Sequence, residues 1–288
     1  MPLRLVYKAT EKDSKKSLGD FLKRQDLSKK AIVALKHRGG KICINNEERT
    51  TRFILNVGDE ISVTFPNEPV SDSLSPIKMN INVIYEDDFI LVVDKKVGLP
   101  MIPTGSHDIA LANGILAYYA ESGLKSTVHF VNRLDKDTSG LLVVAKYRHI
   151  HHLMTADIKS ITRKYYARVA GILTGSSCIN APILKSSAIG IKRVVDMGGQ
   201  HAMTRYEAIQ THDESTLVRC TLETGRTHQI RVHMAHINHP ILKDPLYGNG
   251  AVGDMQLLHS YFLAFVHPIS GKKLSFETKV PMRFEMGE

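Results

Sequence analysis

The chain is poor in several things that usually announce a chemistry. It has only three cysteines, Cys43, Cys178 and Cys220, in 288 residues. They are far apart, odd in number and never in a Cys-x-x-Cys pair. That argues against a disulfide framework and against a thiolate zinc site, and it fits a reducing cytosol. No apolar run approaches the roughly 20 residues of a membrane span. The opening Met1-Pro2-Leu3-Arg4-Leu5-Val6 has no apolar core of signal-peptide length. There is no glycine-rich phosphate loop, no dinucleotide fingerprint and no internal repeat. A cytoplasmic protein with no cofactor, no metal and no membrane contact is expected.

What is present is positive charge and a core. The formal net charge is +9, the pI is about 9.3, and 43% of residues are hydrophobic. A basic balance of this size points to a polyanionic partner, with RNA, DNA and an anionic membrane all open at this stage. The charge is concentrated early. Lys12 to Lys41 holds ten Lys or Arg against three acids, Asp13, Asp20 and Asp26. Two short helices fit here, one from about Ser17 with Leu18, Phe21 and Leu22 on one face, the next after the N-cap Ser28 with Ile32, Val33 and Leu35. Gly39-Gly40 ends the second. Lys41 to Asn45 alternates as a strand, and Val57-Gly58-Asp59 turns into another.

Pro66 to Pro76 is rich in Pro and Ser without an apolar period, which marks a linker. The division expected is 12–65 for the basic module, 66–79 for the linker and 80–288 for the larger domain. In that domain Asn80–Tyr85 and Phe89–Asp94 read as a hairpin, Ile109–Glu121 and Arg148–Ser160 as helices, and Thr162–Gly171 as a strand. His149, His151 and His152 are expected on a polar helix surface.

The stretch with the densest chemistry runs from Val128 to Lys146. Val128–Val131 and Leu141–Ala145 read as strands, the second buried on both faces. Between them lies Arg133-Leu134-Asp135-Lys136-Asp137-Thr138-Ser139-Gly140, a sharp polar turn at a strand end. Asp137, Thr138 and Ser139 suit turn hydrogen bonds, and Gly140 suits a positive φ. Asp135, between Arg133 and Lys136, stands out as a functional acid. A second dense stretch, Leu222 to Gly248, holds Arg226, His228, Gln229 and Arg231. Thr227 could cap a helix carrying Ile230, Met234 and Ile237. His228, His233, His236 and His239 lack the i, i+4 spacing of a zinc-protease helix.

These stretches resemble the RluA family of pseudouridine synthases. The family's His-Arg-Leu-Asp-x-x-Thr-Ser-Gly stands here with Asn132 in the first place and Arg133, Leu134, Asp135, Thr138, Ser139 and Gly140 unchanged. Lys95-Lys96-Val97-Gly98 is similar to its Lys-Pro-x-Gly, with Lys96 for the proline, a change expected to loosen that loop. The run from Leu222 to Gly248 follows its third motif, except that Lys243 replaces a glycine. The basic module resembles, more loosely, the αL RNA-binding fold of ribosomal protein S-four.

The resemblance implies an α+β fold. It consists of a large, mostly antiparallel mixed sheet with flanking helices and a central catalytic cleft, plus the small N-terminal αL module. It implies an RNA pseudouridine synthase, most naturally for large-subunit ribosomal RNA. Asp135 is the implied catalytic carboxylate, Arg231 its partner, and Tyr165 the base-stacking ring. A guanidinium beside a carboxylate favours its charged form and fixes its direction. Arg133, Arg226, His228 and Gln229 would contact RNA in the cleft, with Tyr166 on the opposite strand face. Lys23, Arg24, Lys29, Lys30, Lys36 and Arg38 would track phosphates from the module. A monomer with no obligate protein partner is expected. The rival readings are a catalytically silent RNA-binding or ribosome-assembly protein, a tRNA-directed synthase and a histidine-cluster metalloenzyme.

Overall fold

The computed structural model describes residues 2–68, 74–105, 109–187 and 190–284. The chain begins with strand β1 (Arg4–Lys8), helices α1 (Leu18–Arg24) and α2 (Lys29–His37), and strands β2 (Lys41–Ile44), β3 (Glu47–Glu48) and β4 (Glu60–Thr64). Both helices start where a side-chain oxygen can take an orphan backbone donor. The Ser17 hydroxyl accepts from the Asp20 N–H and the Ser28 hydroxyl from the Ala31 N–H. The four strands form one sheet in the order β1-β4-β2-β3. Leu18, Phe21, Leu22, Leu35, Ile42, Ile61 and Val63 close its core. The sheet thus takes in Arg4–Lys8, upstream of residue 12, where the module was expected to start.

The larger part contains β5 (Asn82–Glu86), β6 (Ile90–Lys95), α3 (Leu111–Glu121), β7 (His129–Phe130), β8 (Ser139–Ala145), α4 (Arg148–Ala156) and β9 (Thr162–Ala170). It continues through β10 (Ser176–Asn180), β11 (Ile183–Lys185), β12 (Arg193–Val195), β13 (Met203–His212), β14 (Ser215–Leu222), α5 (Gln229–His236), β15 (Leu258–Val266) and β16 (Lys273–Glu277). Ten of these strands make one sheet. Its main path is β10-β13-β14-β9-β15-β8-β6-β5, with β16 on β15 and β7 on β8. Every pairing in it is antiparallel except β8 with β15. The sheet is therefore mixed and mostly antiparallel, as expected.

The apolar runs decide which strands lie in the middle. All seven residues of β8 are buried, which is what a strand covered on both faces needs. One cluster packs α3 and α5 against the sheet through Leu111, Ile115, Tyr119, Ile230 and Met234. The other face packs Ile150 and Met154 of α4 with Leu141, Val143 and Leu263, and it also takes Leu3 and Leu5 from the N-terminus. Each such leucine contributes about 1.5–3 kcal/mol when fully buried. The N-terminal strand is thereby part of the larger core.

The same seam overturns one expectation. His149 is buried rather than on a polar surface. Its ring stacks on Phe65 with centroids 5.0 Å apart, and neither ring nitrogen has a hydrogen-bond partner. Burial pushes its pKa down to about 4. His151 is half-buried and His152 exposed. The stretch 66–79 is also more anchored than a free linker. The Glu68 carboxylate meets His129 Nε2 at 2.6 Å and accepts from the Arg148 N–H at 2.6 Å. Ser75 accepts from Asn113 on α3. Residues 69–73 of that stretch lie outside the described residues.

Candidate active site

The site begins where the lone parallel pair begins. β8 and β15 come together at Ser139 and Gly140, opposite His259 and Ser260. Gly140 has φ +109°, and a Cβ there would stand 2.2 Å from the Ser260 carbonyl oxygen. Only glycine meets both conditions. The polar turn that precedes it therefore lies at the N-terminal end of β8 and β15, the sheet's central pair.

The turn is held along its length. The Asn132 side-chain oxygen accepts from the Val143 N–H at 2.9 Å. Leu134 is buried in the main core. The Thr138 N–H donates to the Asp135 carbonyl at 3.1 Å, and Gln256 donates to the Thr138 hydroxyl at 3.2 Å. Lys95 is 1% exposed, and its ammonium donates to the carbonyls of Lys96, Leu99 and Lys136 at 2.8–2.9 Å. Burial brings its pKa down to about 8. That one side chain ties the Lys96–Leu99 loop to the Asp135 turn, so the loop is braced although Lys96 stands in the place of the proline.

Asp135 and Arg231 are 96 positions apart in sequence, and the structure brings them together. Arg231 Nη1 donates to Asp135 Oδ2 at 3.2 Å. The rest of the guanidinium is engaged by Asp244, with Nε to Oδ2 at 2.7 Å and Nη2 to Oδ1 at 2.9 Å. Asp244 is fully buried and also accepts from the backbone N–H groups of Leu246 and Tyr247. Burial works against its charge, but the Arg231 guanidinium and those two donors outweigh it and hold its pKa below the usual range. The Tyr247 ring lies 5.1 Å from the Arg231 Cζ. Arg231 is thus locked by a two-pronged pair on one side and offers a single N–H to Asp135 on the other.

Asp135 stands in the wall of a cleft of about 810 Å³ that Arg133, Tyr165, Arg226, His228 and Arg231 also line. Tyr165 is 5% exposed. Burial raises its hydroxyl pKa, which keeps the phenol neutral. Tyr166 lies on the other face, stacked on Tyr261 at 3.9 Å, as strand alternation requires. Arg133 and Arg226 are exposed at the cleft, Arg226 with its Nε on the His201 carbonyl. Gln229 touches the cleft but its amide is spent inside the protein. It accepts from Thr224 and the Arg226 N–H and donates to Met203 and Thr204. It braces the turn rather than offering a free group to RNA.

His228, not Thr227, occupies the N-cap of α5, with φ +59° and no side-chain cap. Its Nδ1 lies 2.9 Å from the Tyr247 hydroxyl and its Nε2 3.9 Å from Asp135. Burial lowers its pKa, with Asp135 opposing. His233 instead bonds Thr204 and the Ala181 carbonyl, and His239 the Ala170 carbonyl. Among the described residues these three histidines are individually engaged and do not converge. Lys243, in the place where the family uses glycine, has φ +57°, the left-handed region that glycine tolerates best.

The N-terminal cations form a separate surface. Lys23 pairs with Asp20 and Arg24 with Asp13. Lys29, Lys30, Lys36 and Arg38 are exposed along α2 and make no ion pair among the described residues. None of the six lines the cleft. Asp244, Tyr247 and Lys95 escaped the sequence reading. Asp244 sits in a stretch read for its motif alone, and nothing local says that a surface-looking Asp-Pro turn is buried beneath an arginine.

Residues 89–236 match the family model for RNA pseudouridylate synthase. The chain is 38% identical over 261 residues to the Uncharacterized RNA pseudouridine synthase YjbO of Bacillus subtilis, covering 88% of this chain and 92% of that protein. It is 34% identical over 259 residues to Ribosomal large subunit pseudouridine synthase D of Neisseria meningitidis serogroup B, covering 84% and 69%. The structure of Human RNA Pseudouridylate Synthase Domain Containing 1 superimposes with a TM-score of 0.59 at 23% identity, covering 69% and 83%, and so shares the fold. The chain belongs to the RNA pseudouridylate synthase family and is an RNA pseudouridine synthase, an isomerase.

Proposed function

We propose that this synthase acts on uridines of large-subunit ribosomal RNA and that Asp135 is its catalytic carboxylate. The reaction breaks the bond between uracil N1 and ribose C1′ and forms one between uracil C5 and the same carbon. The C5 proton is lost and N1 gains one, with no change of oxidation state. One aimed carboxylate in a water-poor pocket is the main requirement, together with a base swung out of its stack.

The observation that carries the reading is the division of the Arg231 guanidinium between Asp244 and Asp135. The buried pair fixes Arg231, and the remaining N–H fixes the direction of a carboxylate that is still 28% open to the cleft. In this reading Asp135 attacks the ribose or base, or removes a sugar proton. Tyr165 supports the uracil, and Arg133 fills the gap that the extruded nucleotide leaves. Unstacking costs a few kcal/mol. The exposed cations of α2 offset it by holding the RNA through its phosphates.

The ribosomal preference rests on the basic N-terminal module and on the similarity to large-subunit synthases. Tritium release from C5-labelled uridine separates the substrates. Large-subunit ribosomal RNA transcripts should release label in proportion to enzyme turnover while a tRNA pool releases none. Release from tRNA alone would overturn the ribosomal assignment.

A further inference from the structure

Strand β9 carries a charge that the site described above leaves unused. Arg163 lies two positions before Tyr165, and alternate residues of a strand share a face. The residue is 7% exposed, yet it lines the cleft beside Tyr165, Leu222 and Gly225. Its Nε is buried with no hydrogen-bond partner. Among the described residues no carboxylate or carbonyl engages any part of the guanidinium. Arg231, equally buried at 6%, has two carboxylates. The turn after β14 is shaped around this free group. A Cβ on Gly225 would stand 2.9 Å from Arg163 Nη1, so a side chain there would press on the guanidinium.

A buried charge with no partner costs several kcal/mol. The fold bears that cost in a cavity where a ligand can repay it. The cavity carries five Lys or Arg against two carboxylates, Asp135 and Asp137. Uracil and ribose are neutral, so the anion that RNA brings to this wall is its phosphodiester. A desolvated planar guanidinium suits that group, with two parallel N–H donors facing two oxygens.

We propose that Arg163 forms an anion subsite of the cleft and takes a phosphodiester at or next to the extruded uridine. The inference rests on the cleft being the uridine site. A base against Tyr165 then leaves its own backbone about 7 Å along the strand, at Arg163. The residue positions the strand and does no bond chemistry.

Arg163→Met and Arg163→Lys test this on unmodified large-subunit ribosomal RNA transcripts, by binding across a salt series and by tritium release. R163M should raise KM at least about tenfold, the effect of losing a charged hydrogen bond, while kcat at saturating RNA falls less. The slope of log Kd against log salt should shrink by about 0.7, one single-strand phosphate contact. R163K should recover part of both. Without RNA, R163M should unfold at the same or a higher urea concentration than wild type, because an unpaired buried charge is gone. A folded R163M with unchanged slope and KM would overturn the proposal. So would an R163M that unfolds earlier without RNA, since the guanidinium would then be satisfied by the protein itself. If wild type makes no product on these transcripts, the ribosomal assignment fails, and the slope comparison still decides for Arg163.

Discussion

Asp244 is the residue whose removal should be felt most widely. Asp244→Ala deletes both contacts to Arg231 and the acceptor for two backbone N–H groups. What remains is a guanidinium whose side chain is 8% exposed and whose one carboxylate partner is Asp135. Breaking a buried ion pair by deleting one partner costs about 3–5 kcal/mol. Urea unfolding of D244A should show a loss of that size. The freed guanidinium should then turn both prongs onto Asp135 and hold it away from RNA, so kcat should fall as well. The pH dependence follows from the sign of the shift. The folded-state pKa of Asp244 is depressed, so its stabilisation is present above the unfolded value and is lost as pH falls through the folded one. D244A should therefore lack part of the acid limb of the wild-type stability profile. A D244A protein within about 0.5 kcal/mol of wild type, the range of ordinary surface changes, would refute this account of Arg231.

His149→Phe should keep the stack on Phe65 and remove two buried unsatisfied nitrogens, raising the unfolding midpoint. Its folded pKa of about 4 lies below the ordinary value of 6.5, so the unfolded chain takes up protons first and stability falls as pH drops from 6.5 towards 4. H149F should flatten part of that fall, the remainder being shared by His259 and by His151, His228 and His233, which burial also holds down; an unchanged profile would refute the burial. Gly140→Ala should push the Asp135 turn off the β15 backbone and cost at least about 1–3 kcal/mol in a thermal melt. A stable, fully active G140A would contradict the close approach. Changing Lys29, Lys30, Lys36 and Arg38 together to Gln should weaken RNA binding and flatten its salt dependence by about 0.7 per lost contact. The value of kcat at saturating RNA should stay the same; an unaltered salt slope would place the RNA elsewhere.

Much of this architecture is legible in the chain because it is written locally. Ser17 and Ser28 announce helix starts, and both caps are formed. The unbroken apolar run after Gly140 announces a strand buried on both faces. The polar turn before it and the arginine of the later helix can be paired through a family resemblance, and they do meet. What stays hidden is long-range. β1 joins the sheet through β4, more than fifty positions away, and a five-residue alternating strand does not say which partner it will find. His149 looks like helix surface because its neighbours are polar, and the ring that stacks on it, Phe65, is 84 positions away. Asp244 and Arg163 carry the same difficulty in opposite senses. One is a buried charge fully paired, the other a buried charge unpaired, and neither condition leaves a mark on the residues beside it.

The most direct measurement compares wild type with Asp135→Asn in a single reaction on unmodified large-subunit ribosomal RNA, reading RNA binding and tritium release together. The substitution keeps the size of the side chain and its contact to Arg231 while removing the charge. The account predicts binding close to wild type and no release above background. Release at a rate near wild type from a D135N chain would contradict it, and the chemistry would have to be sought at another residue of the cleft.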